Sequence, residues 1–350
     1  MNQLHFGVCL GIDRYPGFPG RDLGSARGDA VKFANWLLRA GGGGLPPDNV
    51  KVIEASPAEM WAQAGDARPQ LREFDRALAT FNRRLRDYLE TNPDDPNDSR
   101  LYVYAAGHGI GPLHGECGVL MASADLDTLG DHAELSTYRS WYVRYGPFRE
   151  VVVFADCCRE ILDVAVDANG PPFPRDGESI GARTFTGYAS RLGGTAWEPA
   201  SVADRDRARG YFTAALIKGL EGGAIDPTYG VATSRTLGKF VSDTVTDLTV
   251  GLVPPQNAEA AYRGDAGHPI LFGSPTPPEA HRVTIHLPAG FSGDVELRSN
   301  AGEPFGTWRA ADGPWQVELA PGHYEVAPVT PGAPTDWLFK VAGADVDVRL

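Results

Sequence analysis

The chain of 350 residues has only four cysteines, Cys9, Cys117, Cys157 and Cys158. They form no spaced framework, which argues against a disulfide-stapled secreted scaffold; reduced thiols in a cytoplasmic setting are expected. Adjacent cysteines rarely bridge each other, because disulfide geometry keeps the two Cα atoms well apart. No stretch approaches the roughly 18 to 20 apolar residues of a spanning helix. The opening MNQLHFGVCLGID lacks a basic region followed by a long apolar run, so no signal peptide is expected. Positive charge is scarce: 32 Lys and Arg stand against 45 Asp and Glu, a formal charge of −13. That argues against a nucleic-acid or anionic-membrane partner. It suits a basic ligand or substrate, although acidic proteins are most often simply soluble. There is no internal repeat, and the abundant Gly and Pro are scattered as turns rather than gathered in a low-complexity tract.

What is present reads first as alternating strands and helices. LHFGVCLGID, NVKVIEA, RLYVYAAG, REVVVFAD and RTFTGYAS read as strands. RLYVYAAG and REVVVFAD are nearly continuous apolar runs, as strands covered on both faces should be. SARGDAVKFANWLLRA reads as a helix that Ser25 can cap, stopped by glycines. Leu71, Phe74, Leu78, Phe81, Leu85 and Tyr88 step by three and four, so QLREFDRALATFNRRLRDYLE is an amphipathic helix. Further helices are expected around GYFTAALIKGLEGG and from about Arg235 to Val250. This order argues for an α/β fold: a mostly parallel sheet with helices on both faces. After Pro275 only short alternating runs between Gly/Pro turns remain, the signature of a small all-β sandwich. The expected domains are therefore residues 1–275 and 276–350.

In open parallel sheets ligands bind beyond the carboxyl ends of the strands. Two strands end in reactive groups: YVYAAGHGIG presents His108, and FADCCRE presents Asp156, Cys157 and Cys158. If those strands are neighbours, imidazole can take a thiol proton and the thiolate can attack a carbonyl. Gly109 lets backbone approach a substrate closely, so its N–H, with that of the cysteine, could hold an oxyanion. A lone histidine after a strand is more often a capping or core residue. The Asp-Cys-Cys at the next strand end is what raises the catalytic reading. Side chains alternate along an extended chain. Asp156 and Cys158 then share one side and Cys157 takes the other, as a small buried apolar residue. A turn at Asp156 would weaken that argument, so it favours Cys158 without settling the choice.

His108 in YAAGHG and Cys158 in DCCRE are 50 positions apart. The ordered set resembles the caspase-like cysteine peptidases: caspases, metacaspases and their bacterial relatives, including the CHAT group, whose nucleophile follows the histidine by about 50 residues. Cys158-Arg159 matches the caspase Cys-Arg, and Asp156-Cys157-Cys158 matches the Asp-x-Cys of metacaspases. LGSARGDAVKFANWL, GYASRLGGTAWE and GYFTAALIKGL look like further family segments, and together the matches cover most of residues 4 to 273. The resemblance implies a caspase-like fold, His108 as base and Cys158 as nucleophile. It also implies that acids at Asp29 and Asp156 line a pocket selecting Arg or Lys before the scissile bond. Two carboxylates are a reasonable clamp for a cation. Asp29 reads equally well as a first-turn acid favourable to the helix dipole.

The chain departs from the family where Glu160 stands in place of a glycine or of His-Ser-Gly after the cysteine. Metacaspases often bind calcium through loop acids. Here Asp125, Asp127 and Asp131 are scattered as solvated acids usually are, so no cofactor is expected and calcium is the minor alternative. Self-cleavage is expected after Arg175, Arg183 or an arginine of 205 to 209, in Gly/Pro/Asp-rich context. VELAPGHYEV resembles small bacterial β-sandwich modules of the PEGA or prealbumin-like kind, which usually bind or dock. Trp308, Trp315 and Trp337 are a candidate sugar or partner surface, though tryptophans in so small a domain are more often core. The reading is a cytoplasmic cysteine endopeptidase acting on a protein or peptide substrate. The bacterial relatives suggest an effector that cuts one chosen partner. Its rivals are an inactive caspase-like scaffold that binds a partner, which Glu160 supports, and a thiol metal or redox site, which the absence of Cys-x-x-Cys spacing makes weak.

Overall fold

A computed structural model describes residues 2–55, 61, 63–95, 97–112, 115–125, 129, 131–161, 170–175, 180–198, 210–265, 267–273, 280–299, 304–319, 322–329, 337–341 and 345–350. In chain order the elements of the first half are β1 (His5–Gly11), α1 (Ala26–Leu38), β2 (Val50–Glu54), α2 (Leu71–Thr91), β3 (Arg100–Ala106), β4 (Gly109–Gly111), β5 (Gly118–Leu120), β6 (His132–Glu134), α3 (Leu135–Tyr145), β7 (Glu150–Asp156), β8 (Glu160–Ile161) and β9 (Arg183–Tyr188). Then come α4 (Tyr211–Lys218), β10 (Ile225–Asp226), β11 (Val231–Thr233), α5 (Ser234–Leu248), β12 (Glu259–Arg263) and β13 (Leu271–Phe272). The last seven strands are β14 (His281–His286), β15 (Asp294–Ser299), β16 (Pro304–Arg309), β17 (Trp315–Leu319), β18 (Gly322–Pro328), β19 (Trp337–Val341) and β20 (Val346–Arg349).

The α/β architecture expected from the sequence is present. A six-stranded sheet has the order β12-β9-β7-β3-β1-β2. Its strands are parallel except β12, which pairs antiparallel with β9. Side chains along the central strands alternate between two covered faces, hence the unbroken apolar runs. Phe6, Val8 and Leu10 pack with Phe74, Leu78 and Phe81 of α2 and Trp141 and Tyr142 of α3. On the other face Phe33 of α1 stacks on Tyr104 and meets Phe154 edge-on. Glycines bring α1 close to β1: a Cβ at Gly11 would lie 2.7 Å from both the Ala26 carbonyl oxygen and the Ala30 Cβ. That contact sets the start of α1 beside the carboxyl end of the sheet. α3 escaped the sequence reading because aromatic and β-branched residues blur its stripe. The small mixed sheet β6-β5-β4-β8 escaped because its strands are two or three residues long.

The chain divides into two compact units, Met1–Ile217 with Gly238–Ile270, and Lys218–Leu237 with Leu271–Leu350. The second therefore includes the hairpin β10-β11, which pairs with β13. It also holds the sheets β17-β14-β20 and β16-β15-β18-β19. Val283, Ile285 and Leu319 of the first of these share a core with Val295, Leu297 and Val326 of the second. Trp315 belongs to that core, and Trp308 and Trp337 pack against it. Among the described residues, no helix is long and apolar enough to cross a membrane.

Candidate functional site

β3 and β7 are neighbours in register, with Ala106 opposite Asp156. The segments that follow them meet at the carboxyl end of the sheet, beside the point where the strand order reverses between β1 and β3, the expected place for a site. A cavity of about 260 Å³ there is lined by Asp29, His108, Asp156, Cys157, Cys158 and Glu198, among others. The structure thus gathers His108, Cys158, Asp156 and Asp29 around one space. Gly109 lies just behind it. A Cβ on Gly109 would stand 2.4 Å from the Cys158 carbonyl oxygen and 2.5 Å from the Cys157 sulfur, so only glycine fits.

His108 is held from three sides. Its backbone N–H donates to the Tyr15 hydroxyl at 2.8 Å, and that hydroxyl donates to the Leu120 carbonyl at 3.3 Å. The Tyr15 ring packs on the imidazole with centroids 4.6 Å apart. Imidazole Nε2 lies 2.6 Å from the Arg21 carbonyl oxygen. A carbonyl only accepts, so in the neutral ring Nε2 carries the hydrogen and Nδ1 keeps a free lone pair. Tyr15, in the turn RYPGFPG, was not singled out from sequence. Nothing in its local pattern distinguishes it from a turn aromatic.

The two cysteines have different surroundings. Cys157 is buried, and its sulfur lies 3.5 Å from that of Cys117. The hydrogen bond with Cys117, together with burial, raises its pKa far above the usual thiol range. Cys158 is half-buried. Its thiol faces the Ala196 carbonyl at 3.6 Å, and the Ala196 N–H donates to its sulfur at 3.3 Å. Burial raises its pKa, the Ala196 contact opposes that rise, and Glu160 and Asp156 add to it. The resting sulfur is therefore a thiol that needs a base to become a nucleophile. Glu160 is exposed and accepts a hydrogen bond from the Thr195 hydroxyl at 3.2 Å. Arg159 turns inward: its guanidinium donates to the Glu116 and Ser190 carbonyls, pairs with Glu259 and lies over the Tyr188 ring. It anchors the backbone after Cys158 to the fold.

Three acids also line the cavity. Asp156 Oδ2 accepts from the Thr213 N–H at 3.1 Å and hydroxyl at 2.6 Å. Asp29 Oδ2 accepts from the Gly210 N–H at 2.9 Å, whereas its buried Oδ1 has no hydrogen-bond partner among the described residues. Glu198, a third acid that sequence reading did not identify, accepts from the N–H groups of Gly24 and Ser25. Ser25 occupies the N-cap position of α1, but its side chain makes no capping bond; Glu198 serves that end of the helix instead. Burial, then Asp156, pushes Asp29 up to about 8. Burial pushes Asp156 up to about 6, with the Thr213 bonds opposing and Glu198 adding. Among the described residues no Lys, Arg or His side chain forms an ion pair with Asp29, Asp156 or Glu198.

Of the scattered loop acids, Asp131 accepts the Leu71 N–H at 3.2 Å and the Ser123 hydroxyl, which are structural duties. Asp125 bridges to Gly17, and Asp127 lies outside the described residues. Among the described residues no three His, Cys, Asp or Glu side chains cluster as a metal group. Of the arginines expected as self-cleavage points, Arg175 is exposed, while Arg183 begins β9, pairs with Glu150 and donates to the His268 carbonyl. Those of 205 to 209 lie outside the described residues.

No protein-family profile matches the chain. A protein described as a probable protease from a Desulfuromonadales bacterium is 26% identical over 350 residues, covering 93% of this chain and 40% of that protein. The chain therefore spans well under half of that relative. Among solved structures it is similar to caspase-1 from Spodoptera frugiperda, at TM-score 0.46 and 12% identity, covering 78% of this chain and 92% of that one. The structure titled pro-sf-caspase-1 gives 0.41 and 15%, over 78% and 92% of the two chains. A Geobacter sulfurreducens protein gives 0.41 and 12%, over 77% and 97%.

Proposed function

We propose that this chain is a caspase-like cysteine endopeptidase that cleaves after arginine or lysine. The observation that carries the reading is the shared cavity, which a half-buried thiol, an imidazole and the carboxylates of Asp29, Asp156 and Glu198 line together. His108 Nδ1 takes the proton of the Cys158 thiol, and the thiolate attacks the carbonyl carbon after the basic residue. The N–H groups of Gly109 and Cys158 stabilise the resulting oxyanion. The carbon–nitrogen bond then breaks, and the amine leaves with the proton from the imidazolium. Water, deprotonated by the same imidazole, releases the acyl group and restores the thiol. Asp156, Asp29 and Glu198 accept the guanidinium or ammonium of the basic residue. A cation entering there offsets the penalty of keeping acids in a dry site.

The Glu160 side chain turns toward Thr195, so the departure at this position favours neither reading. Self-processing at Arg175, and action on one chosen partner protein, are finer parts of the same proposal. The test is hydrolysis of peptides ending in Arg, Lys or Asp by the wild type and by Cys158→Ala. Turnover of the Arg or Lys peptides that disappears in the variant supports the reading. Turnover of the Asp peptide alone would overturn the pocket, and no labelling of Cys158 by a peptidyl-arginine thiol-reactive probe would overturn the peptidase.

A further inference from the structure

The chain beyond Cys158 and the segment 192–198 run side by side in opposite directions. Arg159 N–H donates to the Gly194 carbonyl at 2.9 Å, and Gly193 N–H donates to the Arg159 carbonyl at 2.8 Å. The next rung back is Ala196 N–H on the Cys158 sulfur. Two strips of chain thus share one order. Asp156 and Glu198 stand at one end, Cys158 and Ala196 in the middle, and Ile161 and Leu192 at the other end. Ile161 is 60% exposed and Leu192 46% exposed, so this end is an apolar surface that the described fold does not cover. The two meet over β4. Ile161 is the register partner of Gly111, a Cβ on Gly111 would lie 2.7 Å from Leu192 Cδ1, and one on Gly193 would lie 3.9 Å from Ile161 Cδ1.

A lone exposed leucine or isoleucine needs no explanation. Two that meet over the same strand, one of them three residues beyond Cys158, are a different matter. A peptide advances about 3.3 Å per extended residue. With its basic side chain drawn to the acids at one end, the chain that crosses Cys158 continues toward the other end. We infer that Ile161 and Leu192 form an apolar subsite for the side chains that follow the scissile bond, so that the enzyme prefers a bulky aliphatic residue on the leaving-group side. The inference rests on the peptidase reading and adds a selectivity that the acid pocket alone does not supply. Glu160, beside Ile161 on the same exposed strand, makes this end unfavourable to an acidic residue.

Quenched-fluorescence peptides that differ only after the arginine, Arg-Leu, Arg-Ser and Arg-Asp, test it. They are compared with a peptidyl-arginine methyl ester, whose leaving group is too small to reach the subsite. The wild type should cleave Arg-Leu about tenfold faster in kcat/KM than Arg-Ser, the scale of selectivity one aliphatic side chain provides, and Arg-Asp slowest. Ile161→Ser with Leu192→Ser, both surface changes, should bring the Leu to Ser ratio near one while methyl ester hydrolysis stays unchanged. Equal cleavage of Arg-Leu and Arg-Ser by the wild type would overturn the subsite, as would a preference that survives the double variant. Equal losses on the ester and all peptides would mark a structural role and overturn it too. Failure of the wild type to hydrolyse even the ester would instead sink the peptidase reading beneath it.

Discussion

His108 Nε2 lies 2.6 Å from the Arg21 carbonyl oxygen, which leaves Nδ1 as the free base of the neutral ring. Replacing His108 with Ala should lower kcat by about 10² to 10⁴, the usual range for a general base. Tyr15→Phe removes the hydroxyl that receives the His108 N–H and should lower kcat by about tenfold while KM holds, because it loosens the base and leaves the acid pocket intact. Steady-state kinetics on an arginine peptide checks both, and an unchanged kcat in Tyr15→Phe would remove its positioning role.

The two adjacent cysteines should separate cleanly. Cys158→Ala is expected to abolish turnover and probe labelling. Cys157→Ala should keep the activity within a few fold and lose about 1 kcal/mol of stability, the scale of a small buried group deleted from a packed site. Denaturant titration with parallel activity measurements tests the pair.

Gly109→Ala places a methyl group 2.4 Å from the Cys158 carbonyl oxygen. Backbone cannot yield as a flexible side chain does, so the variant should lose about 1 to 3 kcal/mol of stability, as overpacked sites do. It should also lose most of its activity. A fully active Gly109→Ala would mean that the Cys158 backbone has freedom the packing denies it.

Neutralising the acids should weaken cleavage after Arg and Lys without opening cleavage after Asp. Each of Asp156→Asn, Asp29→Asn and Glu198→Gln is expected to reduce kcat/KM about 10- to 100-fold, the worth of one charge-assisted hydrogen bond. The Glu198 variant should in addition lower the melting temperature, because Glu198 also receives the Gly24 and Ser25 N–H groups.

Asp29 and Asp156 hold protons more tightly folded than unfolded, since burial raises both above the ordinary 3.8, to about 8 and about 6. The folded state therefore carries more protons than the unfolded one between those values. Stability should fall as pH rises from about 4 to 8 through this pair. Asp29→Asn should flatten that fall and be the more stable protein at pH 8, by a margin on the order of a few kcal/mol. For the same reason KM for an arginine peptide should drop as pH rises from 6 to 8, because the ionised acids hold the cation. Thermal melts and KM across that range give the answer, and a wild-type melting point that rises toward pH 8 in parallel with the variant would refute it.

The parallel sheet was legible because strands buried on both faces must be apolar throughout, as VVVFAD and LYVYAA are. His108 and the Asp-Cys-Cys step were legible because each follows such a strand, and strand ends are where side chains gather. The alternation of an extended chain favoured Cys158 without settling the choice, and because β7 ends at Asp156 the different surroundings of Cys157 and Cys158 are set by the turn that follows it. The family resemblance brought Asp29 forward, which composition and spacing could not.

Four relationships belong to the tertiary structure alone. Glu198 reaches the α1 N-terminus across more than 170 residues of sequence. Tyr15 meets His108, and Cys117 meets Cys157, only because β1, β3, β5 and β7 converge at one end of the fold. Ile161 and Leu192 become neighbours only once Gly194 and Arg159 are hydrogen-bonded. The physical reason is one of range. Burial and periodicity act along a few residues and leave a local trace in the sequence. Charge, hydrogen bonding and contact act across a few ångströms of space, which the chain reaches only after the sheet has brought distant segments together.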